Sequence, residues 1–285
     1  MKIKNSYLFL YMVLISIYSC AQTKQTISEQ LNEKQIKSDS NFIYSNFIAG
    51  DFSYMDIDVL DNLYIIKSNQ LKKINAKGDS AGIFNDVKKY GNPTLLDISN
   101  PLKILLYYKS FSTVVVLDRF LSFRNSINFR NKNIFKVKSI ATSYDNNIWI
   151  FDEQDYKLKK INDAGSVLSE TNDWRQIFDE TPTPTEIKDN DGFVYLYDPQ
   201  KGFYIFDYYG SLKNNLAFLQ WEHIAISNNK IMGFVNNSLQ VYTLNTLSLK
   251  TYNLPTFFKD YQDIKAMNGK LYLLKKNGIE IYKIK

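Results

Sequence analysis

Cys20 is the only cysteine of the chain, and it follows Lys2, Lys4, an apolar run from Tyr7 to Ile17 and the small residue Ser19. That order suits signal-peptide cleavage that leaves a thiol at a new N-terminus, ready for lipid attachment. Two acidic turns, Asp56, Asp58 and Asp61-Asn62, and Asp189-Asn190-Asp191-Gly192, offer the oxygen ligands that suit a cation such as calcium. Neither has the ordered Asp-x-Asp-x-Asp-Gly loop with its distant glutamate, and both stand where a hairpin needs turn residues. No cofactor is therefore expected, with calcium at these turns the one candidate. His223, beside Trp221 and Glu222, is the sole histidine. With no cysteine left after lipidation it cannot complete a familiar zinc set, and no Gly-x-Ser-x-Gly elbow accompanies it. Glu186, Glu222 and Asp263 are further carboxylates on strands expected to face inward. The residues present no convergent catalytic set.

The apolar run is 11 residues long, well short of the roughly 20 needed to span a bilayer, so cleavage is expected rather than retention as an anchor helix. Ile17-Tyr18-Ser19-Cys20 resembles a bacterial lipobox: an aliphatic residue, a variable position, a small residue and the cysteine. More than one acyl chain on Cys20 makes membrane attachment stable. Residues 1–19 are read as the signal peptide and residues 20–40 as the lipidated cysteine with a flexible tether. From Ala21 to Ser40 the chain is rich in Gln, Lys, Ser and Glu and too poor in large apolar residues to order itself. The first residues after the cysteine, Ala-Gln-Thr-Lys-Gln, carry no acidic run, which favours an outer-membrane position facing the periplasm.

The net charge of +6 falls to +4 without Lys2 and Lys4. The paired lysines Lys72-Lys73, Lys159-Lys160 and Lys275-Lys276 are scattered among acids, unlike the clustered basic stripe of a nucleic-acid surface. The membrane and an envelope protein are the expected partners, and nucleic acid is not.

From Asn41 onward short apolar runs alternate with Asn, Asp and Gly, and the chain holds 21 Tyr and 19 Phe. Such composition fits an all-β domain. A repeat runs through it. Leu71-Lys72-Lys73-Ile74-Asn75-Ala76-Lys77-Gly78 matches Leu158-Lys159-Lys160-Ile161-Asn162-Asp163-Ala164-Gly165 in register, and the skeleton recurs at Phe203 to Gly210 and more loosely at Val114 to Leu121. Second apolar runs begin at 63, 104, 148, 194, 231 and 271. A period near 40 residues with four short strands per unit is that of propeller blades.

The pattern, an apolar pair ending in Asp or Asn followed by a turn glycine, resembles six-bladed propellers of the NHL and YWTD type over residues 41–285. The resemblance implies a six-bladed β-propeller whose last blade, from Gln262, has room for three strands and takes its fourth from Phe42-Ile43-Tyr44-Ser45-Asn46-Phe47-Ile48. It also implies a broad range of functions, including lactonases and related hydrolases that bind a divalent cation at the central pore. Thr181-Pro182-Thr183-Pro184-Thr185 reads as a stiff exposed connector; Pro182, Pro184 and Trp221 are the candidate partner-binding residues. The favoured expectation is a non-catalytic, membrane-tethered binding or scaffold module of the cell envelope. The rivals are a metal-dependent hydrolase or lactonase acting at the pore, and a ligand-binding sensor lipoprotein.

Overall fold

The computed structural model describes residues 39–285 except 69, 87, 88 and 90–92. Cys20, the signal segment and most of the expected tether lie outside the described residues. What is described is an all-β, six-bladed propeller. Blade 1 comprises β2 (Tyr54–Ile57), β3 (Leu63–Lys67), β4 (Gln70–Ile74) and β5 (Ser80–Phe84). Blade 2 comprises β6 (Leu95–Asn100), β7 (Lys103–Tyr108), β8 (Thr113–Asp118) and β9 (Phe123–Asn128). Blade 3 follows with β10 (Val137–Thr142), β11 (Ile148–Asp152), β12 (Lys157–Ile161) and β13 (Val167–Glu170). Blade 4 is β14 (Glu186–Asn190), β15 (Phe193–Asp198), β16 (Gly202–Asp207) and β17 (Leu212–Leu216). Blade 5 is β18 (Glu222–Ser227), β19 (Lys230–Val235), β20 (Ser238–Thr243) and β21 (Ser248–Asn253). Blade 6 joins β22 (Tyr261–Met267), β23 (Lys270–Lys275) and β24 (Gly278–Ile284) to β1 (Phe42–Ala49), the outermost strand and the first in sequence.

Residue type grades across each blade. The second strands read as unbroken apolar runs because both their faces are covered: Ile104 to Tyr108, Ile148 to Phe151 and Val194 to Tyr197 are all buried. The outer strands are the more solvated; β13 is exposed along its whole length. The core is therefore divided among the seams between neighbouring blades. Blades 5 and 6 meet at Leu239, Phe258, Leu271 and Tyr282, and blades 3 and 4 at Phe151, Trp174, Leu196 and Phe206.

The repeated Asn or Asp has one job in four blades. In the turn between third and fourth strands its Oδ1 accepts backbone N–H groups two and four residues ahead: Asn75 from Lys77 and Asp79, Asp118 from Phe120 and Ser122, Asn162 from Ala164 and Ser166, Asp207 from Tyr209 and Ser211. These bonds measure 2.8–3.0 Å. The side chain mimics a backbone turn and satisfies donors the ladder leaves free.

The Pro182–Pro184 segment differs from its expected exposure. Both prolines are buried. The Pro184 carbonyl accepts from Ser139 Oγ at 3.0 Å and the Thr183 N–H donates to Asp198 at 2.8 Å, which stitches the connector into the seam between blades 3 and 4. Trp221 is also a core residue, 4% exposed, stacked on Phe218 at 4.6 Å and pressed on the Gly233 backbone so closely that a Cβ there would lie 2.6 Å from the indole. An amphipathic ring and a rigid connector make good seam filler, so neither feature is available as a docking surface.

Candidate functional site

The inner strand is the first strand of blades 1 to 5 and the first of the three C-terminal strands in blade 6, so all six run the same way along the central axis. They enclose a cavity of about 460 Å³ lined by residues of β2, β6, β10, β14, β18 and β22, a size that suits small-molecule or peptide recognition. In β2 and β22 period-two alternation turns the polar side chains toward it. In β2, Met55 and Ile57 are buried in the seam while Tyr54 and Asp56 line the cavity. In β22, Ile264 and Ala266 are buried and Lys265 between them lines it. The charged lining comes mainly from blades 4, 5, 6 and 1, with Glu186, Lys188, His223, Lys265 and Asp56, and Asp263 beside His223; Asp97 of blade 2 adds a carboxylate that accepts from the Thr142 N–H and hydroxyl. Leu95, Leu96, Ile98 and Ile140 of blades 2 and 3 add apolar surface opposite, around Asp97.

His223 occupies a β-bulge. The pairing of β18 with β19 shifts between Glu222 and Ala225, and His223 takes a left-handed backbone, φ +54°. Such a conformation is costly for a residue with a Cβ and is held only by its surroundings. Its Nδ1 lies 3.3 Å from Asp263 Oδ1. Burial first, then the Lys265 charge, holds the imidazole below its ordinary pKa, and Asp263, Glu222 and Glu186 offset this only in part. Burial also raises the Asp263 carboxyl, against the pull of Lys265 and His223. Burial acts on Lys265 in the opposite sense from its neighbours: desolvation lowers its pKa, but the carboxylates of Asp56, Asp263 and Glu186 outweigh it and keep the ammonium charged. Among the described residues this ammonium makes no hydrogen bond and no contact ion pair. Lys188 and Glu186 stand 3.7 Å apart, and Tyr54 donates to Asp56 at 3.1 Å.

Because His223 is the only histidine, its ring protons give one signal to follow. Its titration is expected below pH 6.5, the ordinary histidine value, and Lys265→Met is expected to move it upward by removing a like charge. A folded-state pKa below the unfolded one means that the unfolded chain binds more protons, so this group's stability contribution is present above pH 6.5 and declines as pH falls through that range. A wild-type midpoint above 6.5 contradicts this description of the site.

The five acids singled out by sequence do not converge. Asp58 is 1% exposed, and both its oxygens are used within its own hairpin by the N–H groups of Leu60 and Asn62, the Asn62 amide and the Tyr64 hydroxyl. Asp61 clasps blade 6 through Lys270 at 2.7 Å and Asn268 at 3.1 Å. Asp189 ties blade 3 to blade 4, accepting from Trp149 Nε1 at 2.8 Å, the Tyr144 N–H at 3.1 Å and the Tyr208 hydroxyl at 2.6 Å. Asp191 sits at a turn tip with φ +48°. Of the five, Asp56, Asp58 and Asp189 line the cavity, and the oxygens of Asp58 and Asp189 are taken by the donors just named. Among the described residues no group of three His, Cys, Asp or Glu side chains is placed to hold a metal ion. Lys265, Lys188 and Tyr54 were not candidates from sequence; only Lys265, between Ile264 and Ala266, carries the local signal of a charged residue flanked by apolar ones on an innermost strand.

No family model matches the chain, and no curated protein matches it. Solved structures with similar folds include a streptogramin B lyase (TM-score 0.55, 13% identity, covering 87% of this chain and 100% of that one). BamB from Moraxella catarrhalis superposes with a TM-score of 0.52 at 9% identity, over 86% of this chain and 98% of BamB. The extracellular domain of a putative hybrid two-component system from B. thetaiotaomicron gives 0.51 at 16% identity, over 85% of this chain and 34% of that one. At these identities the likeness is one of fold, and what the chain shares with all three is the β-propeller.

Proposed function

We propose that this protein is a non-catalytic, lipid-anchored binding module of the bacterial cell envelope, held by acyl chains on Cys20 at the outer membrane and facing the periplasm. Its propeller holds an extended segment of a protein partner in the central cavity lined by the inner strands. The observation that carries this reading is Lys265: a charged ammonium in the cavity with no hydrogen bond among the described residues, set among Asp56, Asp263 and Glu186. Such a site leaves the lysine without a hydrogen-bond acceptor among the described residues, and a peptide carbonyl supplies one. The apolar surface of Leu95 and Ile140 takes an apolar side chain of the same segment. An extracellular sensor domain and BamB share the fold, which is compatible with an exported binding role.

The test is chemical cross-linking in native membranes followed by purification of the wild-type, Lys265→Met and Cys20→Ala forms. A stoichiometric partner is expected with the wild type. Its yield is expected to fall about tenfold or more with Lys265→Met, the loss of one charge-assisted hydrogen bond, and to weaken with Cys20→Ala. Capture indifferent to Lys265 contradicts the reading. One observation favours a second reading: a neutral histidine, strained at a bulge and 3.3 Å from a carboxylate, is suited to act as a general base, and lyases share the fold. On that reading His223→Gln abolishes a turnover while protein capture is unchanged.

A further inference from the structure

The blades end in turns on two rims, and the rim opposite the starts of the inner strands is the more apolar. Leu60 and Leu102 sit in first-to-second-strand turns, as does Tyr144, and their exposures are 62%, 61% and 57%. Phe120, Tyr209 and Leu247 sit in third-to-fourth-strand turns of the same rim with 55%, 95% and 70%. Five of the six blades thus present a large apolar or aromatic tip at one end. The other end carries Phe111, Phe135, Ile177 and Leu219, spread over longer connections.

Several of these tips have their backbone groups satisfied from below. Asp58 accepts from the Leu60 N–H at 2.9 Å, Asp118 from Phe120 at 2.8 Å and Asp207 from Tyr209 at 2.9 Å. A tip whose N–H is already bonded loses less on approaching a poorly hydrated boundary. Between Leu102 and Phe120 a cleft of about 480 Å³ opens, lined also by Arg119 and Arg124. Among the described residues neither guanidinium has an ion-pair partner, and that of Arg119 lies 4.6 Å from the Phe120 ring centre. The acids of the cleft are engaged elsewhere: Asp163 by Lys103, and Asp118 by its own turn. Paired guanidiniums beside apolar tips match a phosphate headgroup above acyl chains.

The chain enters the domain at this rim. Phe42 at the start of β1 pairs with Ile284, the Ile284 N–H donates to the Gly269 carbonyl in the first turn of blade 6 at 2.8 Å, and the Lys285 N–H donates to the Asn41 carbonyl at 2.9 Å. Twenty-one residues separate Cys20 from Phe42, so a lipid on Cys20 ties the domain to the bilayer from the side of this rim.

We propose that this rim is a membrane-contact surface: Leu60, Leu102, Phe120, Tyr144, Tyr209 and Leu247 rest in the headgroup–acyl boundary of the membrane that holds the anchor, with Arg119 and Arg124 seating a lipid phosphate. The proposal rests on the Cys20 anchor of the preceding reading and adds an orientation to it. The rim acts as an interfacial contact of many shallow points.

The lipidated protein, with its acylated Cys20 unreactive, is labelled with a fluorophore at Tyr209→Cys or at Phe111→Cys and reconstituted in vesicles of phosphatidylethanolamine with a minor share of phosphatidylglycerol. Headgroup spin-labelled lipid is expected to quench the label at 209 several-fold more than that at 111. The pair Leu60→Asp and Phe120→Asp is expected to reduce quenching at 209 while the protein still floats with the vesicles. Floating protein with equal quenching at both positions, or more at 111, overturns the rim assignment alone and leaves the rim to a protein partner. Protein that does not float overturns the anchor and the rim assignment together.

Discussion

Deleting residues 42–49, strand β1, is expected to abolish the monomeric fold. Seven residue pairs join β1 to β24, and among the described residues they are the only sheet contact between the N-terminal and C-terminal ends of the ring. Phe42 is fully buried, edge-on to Phe258 at 5.4 Å, in the seam that also holds Tyr282. Truncating one such phenylalanine costs about 3–5 kcal/mol, already a large part of the 5–15 kcal/mol that holds a typical domain together. The deletion removes that burial and the pairing at once, and it leaves β24 as an open edge, a template for aggregation. Circular dichroism with size-exclusion chromatography reads the outcome. A monomer that unfolds cooperatively within a few degrees of the wild type contradicts the role assigned to β1.

Trp174→Ala is expected to destabilise the domain by about 3–5 kcal/mol, the cost of emptying a large aromatic site in a close-packed core. Trp174 lies in the connection between blades 3 and 4 with no exposed surface, parallel to Phe206 at 5.2 Å and tilted on Phe151 at 4.9 Å. Its indole N–H donates to Thr171 Oγ1 at 3.1 Å, so the alanine variant loses a hydrogen bond as well as stacking. The urea midpoint falls accordingly, and the melting temperature drops by roughly 10 °C for a domain of this size. Trp174→Phe, which keeps a ring in the seam, loses clearly less. An alanine variant as stable as the wild type means that the blade 3–4 seam collapses freely around the gap.

The repeat explains how much of the fold was legible. Leu71–Gly78, Leu158–Gly165 and Phe203–Gly210 each encode a third strand, an Asx-capped turn and a glycine at φ +93°, +78° or +86°, all local consequences of residue type. Blade 2 places Leu121 at the corresponding position with φ +62°, and in blade 5 Leu247, one residue before the fourth strand, has φ +49°. The ring geometry there overrides the usual preference for glycine, which is why those blades were harder to read. Ring closure was legible because the last unit lacked a strand and the Phe42 segment had no partner nearer in sequence.

The site was legible only in pieces. His223 and Asp263 stood out by type, but their 3.3 Å approach joins two blades and has no local signature. Lys265 reads as an ordinary charged residue until closure of the ring turns its strand face into a cavity wall. Pro182, Pro184 and Trp221 misled for the converse reason. Rigid and aromatic residues suit exposed docking loops and buried seams equally, and only the packing of neighbouring blades decides between them. The same holds for Asp58 and Asp189, whose carboxylates are used by turn and seam donors that lie within their own blade or the next one.

The central claim, a tethered module that binds in its central cavity with one rim on the membrane, is tested most directly by photo-cross-linking at two positions of the lipidated protein in native membranes. A photoreactive residue replaces Lys188 in the cavity or Tyr209 on the rim. The account predicts a discrete protein adduct from position 188, diminished by Lys265→Met, and lipid adducts from position 209. A protein adduct at 209 with none at 188 contradicts it.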